Sequence, residues 1–237
     1  MAHLLVLLLT LLWAAPSWAA QTTNFASSAS ATPWSASSAA SVSITINSGD
    51  RVCIVFGLEI NNRSVSSVAD SGSNTYNLVL TRDVGASLPE IWGYCSVTTS
   101  GATSVTVTLD STSAANGVIY VWTVTESGAI GNSSSGQTNP AATSHSSGTV
   151  TLTDASAMML GGTVCAPNCT FTNDADYGTA DYDTVRGMAA HRLFTGASDS
   201  YDLTSGGNET TATVLIEVRP AAGATVNFFP RRLQVLR

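Results

Sequence analysis

From Ser41 onward, short runs of alternating β-branched and polar residues recur, separated at intervals of about ten to fifteen residues by clusters of Gly, Ser, Asn and Asp. In "SVSITIN" (41–47) the alternation is strict. Successive side chains of a strand point to opposite faces, so Val42, Ile44 and Ile46 share one face. "RVCIVFGLEI" (51–60) is nearly continuous in apolar residues, the pattern of a strand covered on both sides. "EIWGYCSV", "ATSVTVTLD", "GVIYVWTVTE", "GTVTLT", "AMMLGGTVC", "RGMAAHRLFT" and "ETTATVLIEVR" continue the series, with "NSGD", "DSGSN", "TTSGA", "SGAIGNSSSGQTNP" and "TSGGN" as turns between them. By the same logic Val105, Val107, Leu109, Val214, Ile216 and Val218 belong in a core. No stretch carries a 3.6-residue apolar period with caps, so helices are not expected. The expected fold is all-β: an antiparallel β-sandwich, jelly-roll or Ig-like, over residues 41–220, with extended arms at both ends.

The ends and the composition set the compartment. Residues 1–20, "MAHLLVLLLTLLWAAPSWAA", run from an apolar stretch to Pro16 and small residues, the layout of a secretory signal. Residues 21–40 are rich in Ser and Ala and read as an extended arm. No later apolar run reaches about eighteen residues, so no membrane span is expected. The chain contains no lysine, nine arginines and sixteen carboxylates, for a net charge of −7. Nucleic acid is excluded as a partner, because neutralising phosphates needs a basic patch that this composition cannot build. Roughly a quarter of the residues are Ser or Thr, a surface polar through hydroxyls more than through charge. The expected location is secreted, extracellular or on a cell surface.

In an oxidising compartment the four cysteines are expected to pair. "CAPNC" brings Cys165 and Cys169 across a short turn, the first-choice bridge. Cys53 and Cys95 lie inside apolar strand-like runs, either bridging neighbouring strands or remaining as two buried thiols. Metal binding by these four is not expected, since no CxxC pair occurs and His145 and His191 stand apart in sequence.

"SVADSGSNTYNLV" (67–79), with its D-S-x-x-N-T-Y turn, followed by "EIWGYCSVTTSGATSVTVTL" and "GVIYVWTVTESGA", resembles secreted bacterial β-sandwich domains of unknown function found in cell-surface and extracellular proteins. The likeness continues through "LTDASAMMLGGTVC" to "TATVLIEVR" and so spans nearly all of the sandwich. It implies a fold and an extracellular setting, and it brings no catalytic residues with it. "CAPNC" is a departure from the pattern.

Several short elements are candidate sites. "DADYGTADYD" places Asp174, Asp176, Asp181 and Asp183 within ten residues, and its D-x-D-x-G start matches the beginning of a calcium loop. The alternative is a solvated acidic loop with Asx-turns. No cofactor is required on this reading, and Ca²⁺ is the candidate ligand. Tyr177 and Tyr182, interleaved with those carboxylates, could stack on a sugar ring. "DSGSN" (70–74) is expected as a strand-connecting turn, with Gly72 supplying positive φ. His145 and His191 are the available general bases, and no G-x-S-x-G elbow accompanies them. An enzyme is therefore not expected. N-x-S/T sequons occur at Asn62, Asn132, Asn168 and Asn208, the candidate glycosylation sites.

The tail, 221–237, ends in "NFFPRRLQVLR". Phe228, Phe229, Leu233, Val235 and Leu236 are apolar, and Arg231, Arg232 and Arg237 have no acid beside them. Such a segment folds back as an edge strand of its own sandwich, stays disordered at the cost of leaving five large apolar residues in water, or adds a strand to a neighbouring subunit. A head-to-tail contact of the last kind propagates into a filament unless a rotation closes it. The expected function is that of an extracellular structural protein, a self-assembling, pilus-like fibre subunit whose partners are copies of itself. The alternative is a secreted carbohydrate-binding or adhesion module with glycan partners.

Overall fold

The structure, a computed structural model, describes residues 21–29, 40–59, 63–82, 88–110, 116–125, 127–154, 156–166 and 168–221. In chain order the strands are β1 (Thr23–Ala29), β2 (Ala40–Ile46), β3 (Arg51–Leu58), β4 (Val65–Asp70), β5 (Asn77–Arg82), β6 (Glu90–Val97), β7 (Ala102–Leu109) and β8 (Gly117–Val124). They continue with β9 (Ser127–Ser146), β10 (Val150–Thr151), β11 (Ser156–Ala166), β12 (Phe171–Thr172), β13 (Tyr182–Thr184), β14 (Gly187–Thr195), β15 (Ser198–Asp199) and β16 (Asp202–Pro220). Among the described residues the helical content is one 3₁₀ turn, Ala175–Tyr177. The all-β reading holds, but two stretches expected as turns, 127–140 and 204–208, run inside the strands β9 and β16.

Every strand pairing is antiparallel. The strands form an outer sheet in the order β2-β7-β4, a middle sheet β1-β8-β3-β6-β5, and a third sheet β12-β16-β11-β14-β13 in which β9 also runs along β16. β10 and β15 make a separate two-stranded pair.

The middle sheet is covered on both faces, which makes the sandwich three layers deep where two sheets would satisfy the simplest form of the fold. On one side Val52, Ile54, Phe56, Trp92 and Val121 meet Val42, Ile44, Val105 and Val107 of the outer sheet. On the other, Val55, Tyr120 and Trp122 meet Leu160, Val164, Val214 and Ile216 of the third sheet. This is why β3 and β8 are apolar at nearly every position, whereas β2, with one face in solvent, alternates buried and exposed residues along its length. A third cluster, including Met159, Met188, Tyr177, Tyr201 and Leu215, lies on the far face of the third sheet. Removing fully buried side chains such as Trp122, Tyr120 or Phe56 from water is worth about 1.5–3 kcal/mol each.

Close approach sets some small residues in β11. At Gly161 a Cβ would lie 2.5 Å from the Tyr201 ring, so the fully buried tyrosine occupies the space a side chain would need.

Both cysteine pairs bridge. Cys53 and Cys95 are direct partners in the β3–β6 register, with Cα atoms 4.2 Å apart, and Cys165 closes onto Cys169 with Cα atoms 6.4 Å apart. The N-terminal arm needs correction: Thr23–Ala29 is the edge strand of the middle sheet, in register with β8 from Thr23↔Val124 to Ala29↔Val118. Phe25 anchors it, its ring centroid 5.2 Å from that of Trp122. The domain thus reaches back beyond residue 41. Residues 1–20, expected as a secretory signal, and the tail from residue 222 lie outside the described residues.

Candidate functional site

β1 and β14, from different sheets, meet at one side of the second core. Alternation along β14 turns Ala189, His191 and Leu193 toward the middle sheet. His191 is the polar member of that face. Its Nε2 lies 2.6 Å from Thr23 Oγ1 on β1, and its Nδ1 lies 2.7 and 2.8 Å from the two carboxylate oxygens of Asp181. Asp181 precedes β13 and is held by two further bonds. Its amide donates to the Ala189 carbonyl at 2.8 Å, and Trp122 Nε1 on β8 donates to its Oδ2 at 3.0 Å.

A carboxylate only accepts, so Nδ1 carries the hydrogen shared with Asp181, and in the neutral ring Nε2 accepts from the Thr23 hydroxyl. The result is a hydroxyl, an imidazole and a carboxylate in line, with the carboxylate clamped by an indole. The side chain of His191 is 31% exposed and that of Asp181 13%, so the imidazole is reachable from solvent while its carboxylate is largely covered. Sequence reasoning named His191 and Asp181 separately and missed Thr23, which is 168 positions from His191. A polar residue on an apolar parity was the available signal.

The acidic loop separates its four carboxylates. Asp174 caps the 3₁₀ turn, accepting from the Asp176 amide at 2.9 Å, and its other oxygen accepts from the Asp202 amide at 2.9 Å. Asp176 points outward, 76% exposed, with Arg192 Nη1 at 3.5 Å. Asp181 belongs to the imidazole, and Asp183 lies on β13, where burial raises its carboxyl above the ordinary range. Among the described residues no group of three or more His, Cys, Asp or Glu side chains converges as a metal site. The Ca²⁺ expectation rests on these four residues acting together, and in the structure Asp174, Asp176 and Asp181 each have a different neighbour.

The two tyrosines differ: Tyr177 offers no open face for stacking on a sugar, whereas Tyr182 is partly exposed. Tyr177 is buried, its hydroxyl donates to Asp199 Oδ2 at 2.9 Å, and the Arg192 guanidinium lies over its ring at 4.5 Å. Burial and the adjacent Asp199 charge push that hydroxyl's pKa far up, so it stays a donor. Tyr182 is half-buried, edge-on to Tyr120 with centroids 5.6 Å apart. Arg192 is paired with Asp199 and lies equally close to Phe194, at 4.5 Å, which locks this corner.

His145 is 2% exposed and surrounded by hydroxyls: Thr138 and Thr211 at 3.1 and 3.0 Å from Nδ1, and Ser205 at 2.8 Å from Nε2. Burial lowers its pKa, favouring the neutral ring.

The "DSGSN" turn forms as expected. Asp70 accepts from the Gly72 and Asn74 amides, Asn74 Nδ2 and the Tyr76 hydroxyl at 2.7–3.0 Å. Burial alone would raise its carboxyl, but these donors hold it below the ordinary range. Positive φ falls on Ser73, at 61°, and not on Gly72; a Cβ at Gly72 would instead meet the Gly101 carbonyl oxygen at 2.5 Å.

Asn132, Asn168 and Asn208 are exposed, and Asn132 Nδ2 donates to the Thr151 carbonyl at 2.7 Å. Asn62 and the tail residues Phe228, Phe229, Leu233, Val235 and Leu236 lie outside the described residues. No described helix is long and apolar enough to cross a membrane. Compared with models of protein families, with curated proteins and with solved structures, the chain matches none.

Proposed function

We propose that this chain is an extracellular structural protein whose copies join by strand addition, the segment after Ala221 of one copy pairing with the open edge of the middle sheet of the next. The observation that carries this reading is β5. Among the described strands it pairs with β6 alone, and it leaves Leu78 53% exposed. An edge of that kind is a template for another strand unless charge or proline blunts it. Sixteen residues follow Ala221, and at about 3.3 Å per residue an extended chain of that length reaches about 50 Å, enough to meet a neighbour. Leu233 and Val235 would face the same side of such a strand, with backbone bonds supplying affinity and alternate side chains the register. Arg231, Arg232 and Arg237 would approach a body that holds all sixteen carboxylates against six arginines. The two disulfides suit an oxidising exterior.

Sedimentation velocity on the exported chain tests this. Large, concentration-dependent species are expected, shifting toward monomer in Leu78→Lys and on adding a synthetic 223–237 peptide in excess. A wild-type chain that stays monomeric across the micromolar range, or assemblies indifferent to both perturbations, would refute it.

A further inference from the structure

The Thr23, His191 and Asp181 alignment has a chemical capacity that the assembly reading does not use. We propose that it is an acyl-transfer site, with Thr23 Oγ1 as nucleophile, His191 Nε2 as general base, and a carboxylic ester as substrate. The geometry meets the requirements in order. Nucleophile and base are 2.6 Å apart, the base is oriented by a carboxylate at 2.7 Å on its other nitrogen, and that carboxylate is fixed by the Trp122 indole at 3.0 Å. Asp181 and Trp122 touch no substrate and act as positioning residues.

The strand register adds a place for the substrate. Thr125 donates its amide to the Thr22 carbonyl at 3.0 Å, making Thr22 and Thr125 a hydrogen-bonded pair of the antiparallel ladder. Alternation then turns the Thr23 amide away from β8, toward the outer edge of the middle sheet, on which β1 is the terminal strand among those described. An acyl group approaching that edge meets the attacking residue's own N–H, the donor that steadies a developing oxyanion in acyl transfer.

In the first step Thr23 Oγ1 forms a bond to the ester carbonyl carbon and gives its proton to His191 Nε2. The tetrahedral centre then collapses, the bond to the alkoxy oxygen breaks, and the His191 proton leaves with that oxygen as the alcohol, with the acyl group ester-linked to Thr23. Water from solvent, deprotonated by the same nitrogen, attacks the acyl-Thr23 carbonyl and releases the carboxylic acid. The proton held by His191 returns to Thr23 Oγ1. Atoms balance with the ester and one water consumed and the alcohol and acid formed, and no electron acceptor is needed.

The test treats the exported full chain with p-nitrophenyl acetate, following p-nitrophenolate release and locating acetyl groups by peptide mass spectrometry. Acetylation is expected on Thr23 ahead of all other hydroxyls. Thr23→Ser should retain it and Thr23→Val abolish it, and His191→Gln should slow it about 100-fold, the scale of general-base assistance. Asp181→Asn should also alter the pH profile of the acetylation rate, which a change in stability alone would not do. No acetyl on Thr23, or labelling there no faster than on exposed serines, overturns the proposal. So does a Thr23 labelling rate that is unchanged in His191→Gln.

Discussion

The two disulfides close loops of very different length, and that difference has a measurable thermodynamic consequence. Cys53–Cys95 spans a sequence separation of 42, Cys165–Cys169 one of 4. A cross-link stabilises chiefly by removing loop-closure entropy from the unfolded chain, as −2.1 − 1.5R ln n in cal/mol/K, giving about 4 kcal/mol for the long loop and about 2 kcal/mol for the short one at 25 °C. Packing does not confuse the comparison, because the partners are matched in burial. Cys53 and Cys165 are 0% exposed, Cys95 and Cys169 3%. The double variants Cys53→Ala/Cys95→Ala and Cys165→Ala/Cys169→Ala therefore leave similar losses of core contact, and the first should be less stable than the second by about 2 kcal/mol. Urea unfolding at matched pH, read as midpoint and slope, measures the gap. Equal losses from the two variants, or a larger loss from the short loop, would refute the argument that loop length governs these bridges.

Gly161→Ala should destabilise by about 3 kcal/mol, since the new Cβ meets the Tyr201 ring at 2.5 Å and that ring is tethered through its hydroxyl to Asn173 at 3.0 Å. Gly206→Ala, with nothing nearer than 3.9 Å, should change stability by less than about 0.5 kcal/mol; thermal melts of both decide. His145 has a folded-state pKa lowered below the ordinary 6.5, so on acidification the unfolded chain takes up its proton first. Stability contributed by this group therefore falls as pH drops below 6.5 and levels off below the folded-state pKa. Urea midpoints for wild type and His145→Gln at about pH 7.5 and about pH 5.5 should show the variant losing less on acidification. Ser73→Gly should gain about 0.5 kcal/mol in the same unfolding assay, because the left-handed φ of 61° costs serine more than glycine loses in chain entropy.

The strands were legible because one-dimensional period matches one-dimensional burial. Val42, Ile44 and Ile46 alternate in sequence and alternate in the sheet, and the unbroken apolar run of β3 marks a strand with two covered faces. What covers each face was not legible. Val52 and Val55 look alike in sequence, yet one packs toward the outer sheet and the other toward the third, a consequence of long-range pairings that local pattern does not encode. The arm shows the same limit: its Ser and Ala residues suit an unpacked linker, and only Phe25 set against Tyr120 and Trp122 explains why it is a strand. Thr23 was invisible for that reason, since its partner depends on β1 entering the middle sheet at all. Tyr177 and the aspartates of its loop were visible as a cluster in sequence, but folding gave two of the carboxylates partners from outside the cluster: the Asp202 amide for Asp174 and the imidazole for Asp181.

Electron microscopy of the chain from residue 21 onward beside a version ending at Ala222 tests the assembly reading most directly. Fibres from the full chain and single particles from the shortened one are the predicted result, placing the apolar tail in the joint between subunits. Compact single particles from both would contradict it and leave the open edge of β5 without a strand to receive.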